Sequence, residues 1–291
     1  MTLEQLRIFV TVAELLNMRA AAERLHLSQP AVSAAIAALE ERHATRLFHR
    51  IGRGLELNEA GRAFLPAARS VLAKAADAIQ VLDDLSGLVR GELRIAASQT
   101  VATYWLPGFL TRFAARYPTV RLDLRVSNTA QTAASVMDGE ADLGFVEGRI
   151  DRAFSLHKHP VGGDDFRLYA APGHPLAGRP VDREALLQAQ WVLREEGSGT
   201  RDHLARCLKT IFQIDLADLD IRLVLPSNEA VLEGVASGGL ISAVSDLAAA
   251  SRVRAGLVEV LDCMLEKRAF HMLRHRERPL SSAAQAFVDM L

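Results

Sequence analysis

The chain of 291 residues lacks several things, and each absence excludes a class of protein. Cysteine occurs only as Cys207 and Cys263, with no metal-ligand spacing, so no metal centre is expected. Scarce cysteine fits a cytoplasmic protein with reduced thiols. No uncharged apolar run approaches the roughly 18 residues of a membrane helix. The N-terminal stretch Leu3 to Leu16 is broken by Glu4, Arg7 and Glu14, which no signal peptide would carry in its apolar core. Charge of one sign is missing too: 34 Lys and Arg face 35 Asp and Glu, so the whole chain is no nucleic-acid polycation. Gly-x-Ser-x-Gly, P-loop and His-Glu-x-x-His patterns are absent, which leaves an enzyme reading without support. His157, His159, His271 and His275 have no evident catalytic partner and read as structural or solvated. There is no short repeat and no low-complexity tract.

What is present is ordinary in bulk and specific in detail. With 49% hydrophobic and 24% charged residues the chain can bury a real core, and its length suggests two or three domains. Leu3, Leu6, Phe9, Val10, Ala13 and Leu16 follow helical spacing. Asn17 stops that helix or caps the next, Arg19 to Leu25. Ser28 caps a third helix of about Gln29 to Glu41, with Pro30 in its first turn, where a missing N–H costs nothing. Short apolar pieces around Gly52-Arg53-Gly54 predict a two-stranded wing. Asn58 then opens a long helix to about Leu85. Its Leu65, Leu72 and Ile79 alternate with Ala68, Ala75 and Leu82, which describes either a dimer seam or a face packed on its own domain. Pro66 predicts a local kink.

From Gly91 strands and helices alternate, as in an α/β domain with a largely parallel sheet. Strands are expected at Glu92 to Ala97, Val120 to Val126 and Leu143 to Val146. A crossing to a second α/β unit is expected around Val161 to Asp165.

Two short helices meeting at Ser28-Gln29-Pro30, the second small and polar at its start with an apolar seam behind, have the form of a DNA-groove reader. Together with Leu6, Phe9, Ala21-Ala22, Leu25, Ala31-Val32-Ser33, Ile36, Leu39-Glu40, Leu47-Phe48 and Glu59-Ala60-Gly61, they resemble the winged helix-turn-helix of LysR-type transcriptional regulators. Arg90-Gly91-Glu92-Leu93, Tyr117-Pro118, Asp142-Leu143-Gly144 and Pro172-Gly173-His174-Pro175-Leu176 extend the resemblance over the full chain. Ser98-Gln99-Thr100, Ser127-Asn128-Thr129 and Glu195-Glu196-Gly197-Ser198-Gly199-Thr200-Arg201 are similar to regulators of carbon fixation and sulfur assimilation.

The resemblance implies a fold class and a division of the chain. Residues 1–58 would be the DNA-binding domain and 59–89 a linker helix for dimerisation. Residues 90–161 with 268–291 would form one lobe of a periplasmic-binding-protein-like effector domain, and 162–267 the other. It implies a homodimer, usually a tetramer, on double-stranded DNA, controlled by a small molecule between the lobes, with RNA polymerase as a further partner.

Recognition-helix chemistry assigns Ser28, Gln29, Pro30, Ala31 and Ser33 to the DNA. Gln29 can pair bidentately with adenine and Ala31 can touch a thymine methyl, while Ser28 serves phosphate, base or cap. Ala34, Ala35, Ala37 and Ala38 leave few other base readers, so Arg50 and Arg53 of the wing, with Arg19, are the candidate phosphate contacts. Arg42 and Arg46 read equally as surface charges, diluted by Glu40, Glu41, Glu56 and Glu59. In the effector domain, Ser98, Gln99, Thr100, Ser198, Gly199, Thr200 and Arg201 follow strands and open helices, an arrangement that favours a small anion. Asn128, Thr129 and Glu147 lie at further strand ends, where α/β ligands bind. Helix capping is the competing account of Ser98, Ser198 and Thr200. No cofactor is expected. Two other functions remain open: a redox sensor through Cys207 and Cys263, and a free-standing solute-binding protein, which would not need residues 1 to 60.

Overall fold

A computed structural model describes residues 1–51, 54–84, 89–148 and 155–291. The chain divides into two compact units, Met1–Gly87 with Asp138–Glu140, and Leu88–Met137 with Ala141–Leu291.

The first unit begins with helices α1 (Leu3–Leu15), α2 (Met18–Leu25) and α3 (Gln29–Arg42). Each starts where a side chain satisfies otherwise orphaned N–H groups. Thr2 and Gln5 form a reciprocal capping box on α1, the Asn17 side-chain Oδ1 accepts from Arg19 and Ala20 N–H on α2, and Ser28 Oγ accepts from Ala31 N–H on α3. Phe9, Val12, Ala21, Val32, Ile36 and Leu39 fill the core between them. Strands β1 (Phe48–Ile51) and β2 (Gly54–Leu57) pair antiparallel as the expected wing.

Glu40 does not dilute surface charge; it is buried. One carboxylate oxygen accepts from the backbone N–H of Leu47 and Phe48 at 2.7 and 3.2 Å, and the other meets Arg46 at 3.0 Å, so the end of α3 clamps the start of β1. Helix α4 (Glu59–Asp84) follows, with Asn58 Oδ1 accepting from Gly61 N–H at 2.8 Å, and it runs through Pro66 as one helix. The two halves of α4 differ in what they pack against. Leu65, Ala68 and Leu72 pack on the core of their own domain, whereas Ile79 is 64% exposed.

The second unit contains β3 (Gly91–Ser98), α5 (Leu106–Arg116), β4 (Val120–Ser127), α6 (Thr129–Asp138), β5 (Leu143–Glu147) and β6 (Leu156–Asp164). Then come β7 (Phe166–Ala170), α7 (Arg183–Gln188), β8 (Gln190–Arg194), α8 (Gly199–Cys207), β9 (Asp220–Leu225), α9 (Asn228–Ala236), β10 (Leu240–Ser245) and α10 (Asp246–Arg254). The chain closes with β11 (Glu259–Val260), β12 (Arg268–His275) and α11 (Ser282–Val288).

Two five-stranded sheets result, ordered β4-β3-β5-β12-β6 and β11-β7-β10-β8-β9. Each covers both faces with apolar side chains. In the first, Ile95, Ala97, Phe145 and Met272 face one core while Ala96, Val146 and Leu273 face the other, as the two-residue period of a strand requires. The sheets are mixed and not largely parallel as expected: β4, β3 and β5 run parallel, but β12 pairs antiparallel with β5 and β6. The reason is topological, because β6 leaves the first sheet for the second and β12 returns. β6 stays paired with β12 up to Asp164↔Arg268, so residues 162–164 belong with the first sheet and the passage falls at Asp165, past the boundary expected at 161.

Candidate functional site

On the DNA-facing candidate helix, Gln29, Pro30 and Ala31 are exposed and Ser33 is half-buried. Gln29 and Ser33, one helical turn apart, are hydrogen-bonded: Gln29 Nε2 donates to Ser33 Oγ at 2.7 Å. The bond restrains the amide and uses one of its two N–H groups, leaving the second N–H and the carbonyl oxygen outside it. Ser28 takes its capping role. Arg19 is exposed and pairs with Glu23 at 3.1 Å, a carboxylate that offsets part of its charge. Of Arg50 only the backbone is described, opposite Leu55 in the wing, and Arg53 lies outside the described residues.

The candidate cleft residues come together at the seam between the two sheets, but they bind mostly one another. Ser98 donates to Glu147 Oε2, and Thr100 Oγ1 donates to Oε1 at 3.4 Å. Thr129 Oγ1 donates to the Glu147 backbone carbonyl at 3.0 Å. Ser98, Thr100, Thr129 and Glu147 are all buried. The hydroxyls expected to hold an anion therefore already hold a carboxylate of the protein.

Across the seam, Gln99 Oε1 accepts from Arg194 at 2.8 Å and from the Asn228 N–H at 2.7 Å, and Asn228 Nδ2 donates to Thr100 Oγ1 at 2.9 Å. Tyr104 and Gln99 donate to the two oxygens of Glu229 at 2.7 and 2.9 Å. Burial first, and then this bond to Glu229, raise the Tyr104 pKa, so it stays a donor. Gly199 fits directly against the Glu147 carbonyl and the Thr129 hydroxyl, where a methyl group would collide with both. Ala130 N–H donates to the Gly197 carbonyl at 3.1 Å, and Asn128 Nδ2 reaches Glu195 Oε1 at 3.5 Å.

Capping does not account for the three hydroxyls. Thr200 Oγ1 accepts from Arg268 Nη1 at 3.0 Å, Ser98 is bound to Glu147, and Ser198, at the N-cap position of α8, makes no capping bond. Ser198 Oγ is buried with no hydrogen-bond partner among the described residues. Arg201, in the first turn of α8, donates to the Arg194 carbonyl at 2.9 Å and has no ion pair among the described residues.

The sequence reading missed Arg268, Asp164, Asn228, Glu229 and Tyr104. Arg268 begins β12 and is fully buried with Asp164, the last residue of β6. It donates from Nε to Asp164 Oδ1 at 3.0 Å and stands 3.8 Å from Glu147. One guanidinium thus ties together the two strands by which the chain crosses between sheets. No local pattern marks these residues, since each partner is distant in sequence.

Residues 3–62 match the family described as bacterial regulatory helix-turn-helix protein, lysR family, and residues 86–291 match the LysR substrate binding domain. The chain belongs to the LysR family of transcriptional regulators. It is 33% identical to the HTH-type transcriptional regulator YeiE of Escherichia coli K12, over 99% of this chain and 96% of that protein. It is equally identical to the RuBisCO operon transcriptional regulator of Allochromatium vinosum, over 100% and 95%. Among solved structures, full-length CbnR complexed with its target DNA is similar with a TM-score of 0.68 at 25% identity, covering 100% of this chain and 98% of that one.

As a LysR-type regulator the chain is a DNA-binding protein with an effector-binding domain, and regulators of this family bind small molecules and assemble as oligomers; they are not enzymes. The matched DNA-binding domain removes the solute-binding alternative. Among the described residues no helix is long and apolar enough to cross a membrane. Cys207 is buried in α8 and Cys263 half-buried. Burial raises the pKa of both, that of Cys263 to about 11, aided by neighbouring Cys207 and Asp262. Neither has the depressed pKa that makes a thiol reactive toward oxidants.

Proposed function

We propose that this regulator reads DNA through Gln29, Ala31 and Ser33 with phosphate contacts from the wing, pairs with a second copy through the exposed half of α4, and responds to a small anionic metabolite at the seam between its lobes. Such a protein works in the cytoplasm, where the chromosome is. The observation that carries the anion reading is Ser198: a buried hydroxyl without a partner among the described residues, at the N-terminus of α8, between two glycines that pack on the facing lobe. A buried donor left unmade is costly, and the first-turn N–H groups of a helix add positive potential to it. Arg201 supplies the counter-charge. The hydroxyls of Ser98, Thr100, Thr129 and Thr200 hold the walls in place through Glu147 and Arg268, and Glu147 can accept from a hydroxyl of the ligand. A related regulatory domain, that of Synechocystis PCC6803 CcmR, is described in complex with 2-PG. It is 29% identical, covers 69% of this chain and 95% of its own, and has a TM-score of 0.62.

Thermal-shift screening of sulfate, sulfite, 2-PG and phosphorylated sugars against the full chain tests this reading. One of them should raise the melting temperature, and Ser198→Ala should weaken its binding by about tenfold, the worth of one hydrogen bond to a charged group. An undiminished shift in Ser198→Ala would reject the assignment.

A further inference from the structure

The structure has a cavity of about 990 Å³ that the seam does not use. It lies within the first lobe, bounded by the end of α5, strands β6 and β12, α11 and the last residues of the chain. Its size is at the upper end of the range for small-molecule sites. Val161, Met272, Leu280, Val288 and Leu291 give it an apolar lining.

Two of the three charged side chains at its edge are arginines. Arg116 ends α5, Arg274 lies on β12, and His159 lies opposite Met272 on β6. Neither arginine takes part in an ion pair among the described residues, although Arg116 stands 5.7 Å from the Tyr117 ring. The neighbourhood is electropositive beyond the lining itself. The pKa of His157, beside Arg274 in the β6–β12 register, is lowered by slight desolvation first, and then by Arg274, Arg276 and His159. Asp289 is the acidic side chain of the lining, and its Oδ1 accepts from Gln285 at 2.7 Å.

An apolar lining beneath unpaired guanidinium groups is complementary to one chemical class, a carboxylate with an apolar body. A small inorganic anion would leave the lining wet, and a neutral hydrocarbon would leave the arginines unused. Burying the apolar body supplies affinity, and a two-nitrogen fork on Arg274 or Arg116 orients the carboxylate. We propose that this cavity is a second small-molecule site, for an amphipathic carboxylate, separate from the interlobe seam.

Octanoate is a suitable probe, with acetate as the head-group control and octanol as the tail control. Titration of the full-length protein is followed by calorimetry and by the methyl NMR signals of Met272 and Val288. Octanoate should bind saturably and shift both signals, with acetate and octanol each weaker by at least about tenfold, one charge-assisted hydrogen bond or two buried methylenes being worth that much. Arg274→Gln should weaken octanoate by a similar factor, and Ala286→Trp, placed on the partly exposed wall, should abolish it. Both variants must keep the melting temperature of the parent within a few degrees, and Arg116→Gln serves as the second charge variant if one does not. Absence of saturable binding at millimolar octanoate overturns the proposal. So does binding that neither arginine variant weakens, or acetate binding as tight as octanoate.

Discussion

At the scale of single residues, what a side chain does here is set by which of its polar atoms remain unpaired. Glu40 looks like one of many surface acids in the sequence, yet it is buried and accepts two backbone N–H groups and Arg46. Ser198 looks like one of many capping serines, yet it caps nothing.

His271 shows the same principle through pH. It is half-buried, and burial first, then the charge of Lys158, push its pKa down to about 4. The unfolded imidazole titrates near 6.5, so between about pH 6.5 and pH 4 the unfolded chain binds more protons and stability falls as pH falls. Melting temperatures measured from pH 7 to about pH 5 should therefore decline, and His271→Gln should lessen the decline. His157, His174 and His203 are shifted in the same direction and leave a residual slope. An identical profile in His271→Gln would show that this imidazole does not contribute.

At the scale of elements, the helix-turn-helix was legible because each of its signals is local. Asn17, Ser28 and Asn58 act on groups two or three residues away, and Phe9, Val32, Ile36 and Leu39 mark their buried faces by periodicity alone. The wing was legible from its glycines, and β1 and β2 pair as expected. Strand β6 was not: His157 to Gly163 carries histidine, lysine, proline and two glycines, and its strand character comes from pairing along the whole of β12. If the wing supplies phosphate contacts as proposed, Arg50→Ala should reduce the slope of log K against log salt by about one unit while leaving sequence preference intact. An unchanged slope in a salt-dependent operator titration would remove Arg50 from the phosphate contacts.

At the scale of the whole effector domain, the seam depends on close approach. Gly199 meets the Glu147 carbonyl with no room for a side chain, and Arg268 joins both crossovers and α8. Gly199→Ala should hold the lobes apart, costing about 1–3 kcal/mol of stability, the usual penalty of overpacking. It should also abolish the response of operator affinity to the anion found by screening. A variant with parent-like melting and effector response would disprove the close packing at Gly199.

By itself the sequence determined the family, the DNA-reading helix, the alternation of strands and helices, and the strand ends that meet at the seam, because caps, periodicity and glycine punctuation act within a few residues. Tertiary structure alone decided which of those polar groups find a partner within the protein. Ser98 and Thr100 are consumed by Glu147, Gln99 by Arg194 and Asn228, and Thr200 by Arg268, across separations no local pattern can encode. Ser198 is left over because none of the described groups brought to the seam reaches it.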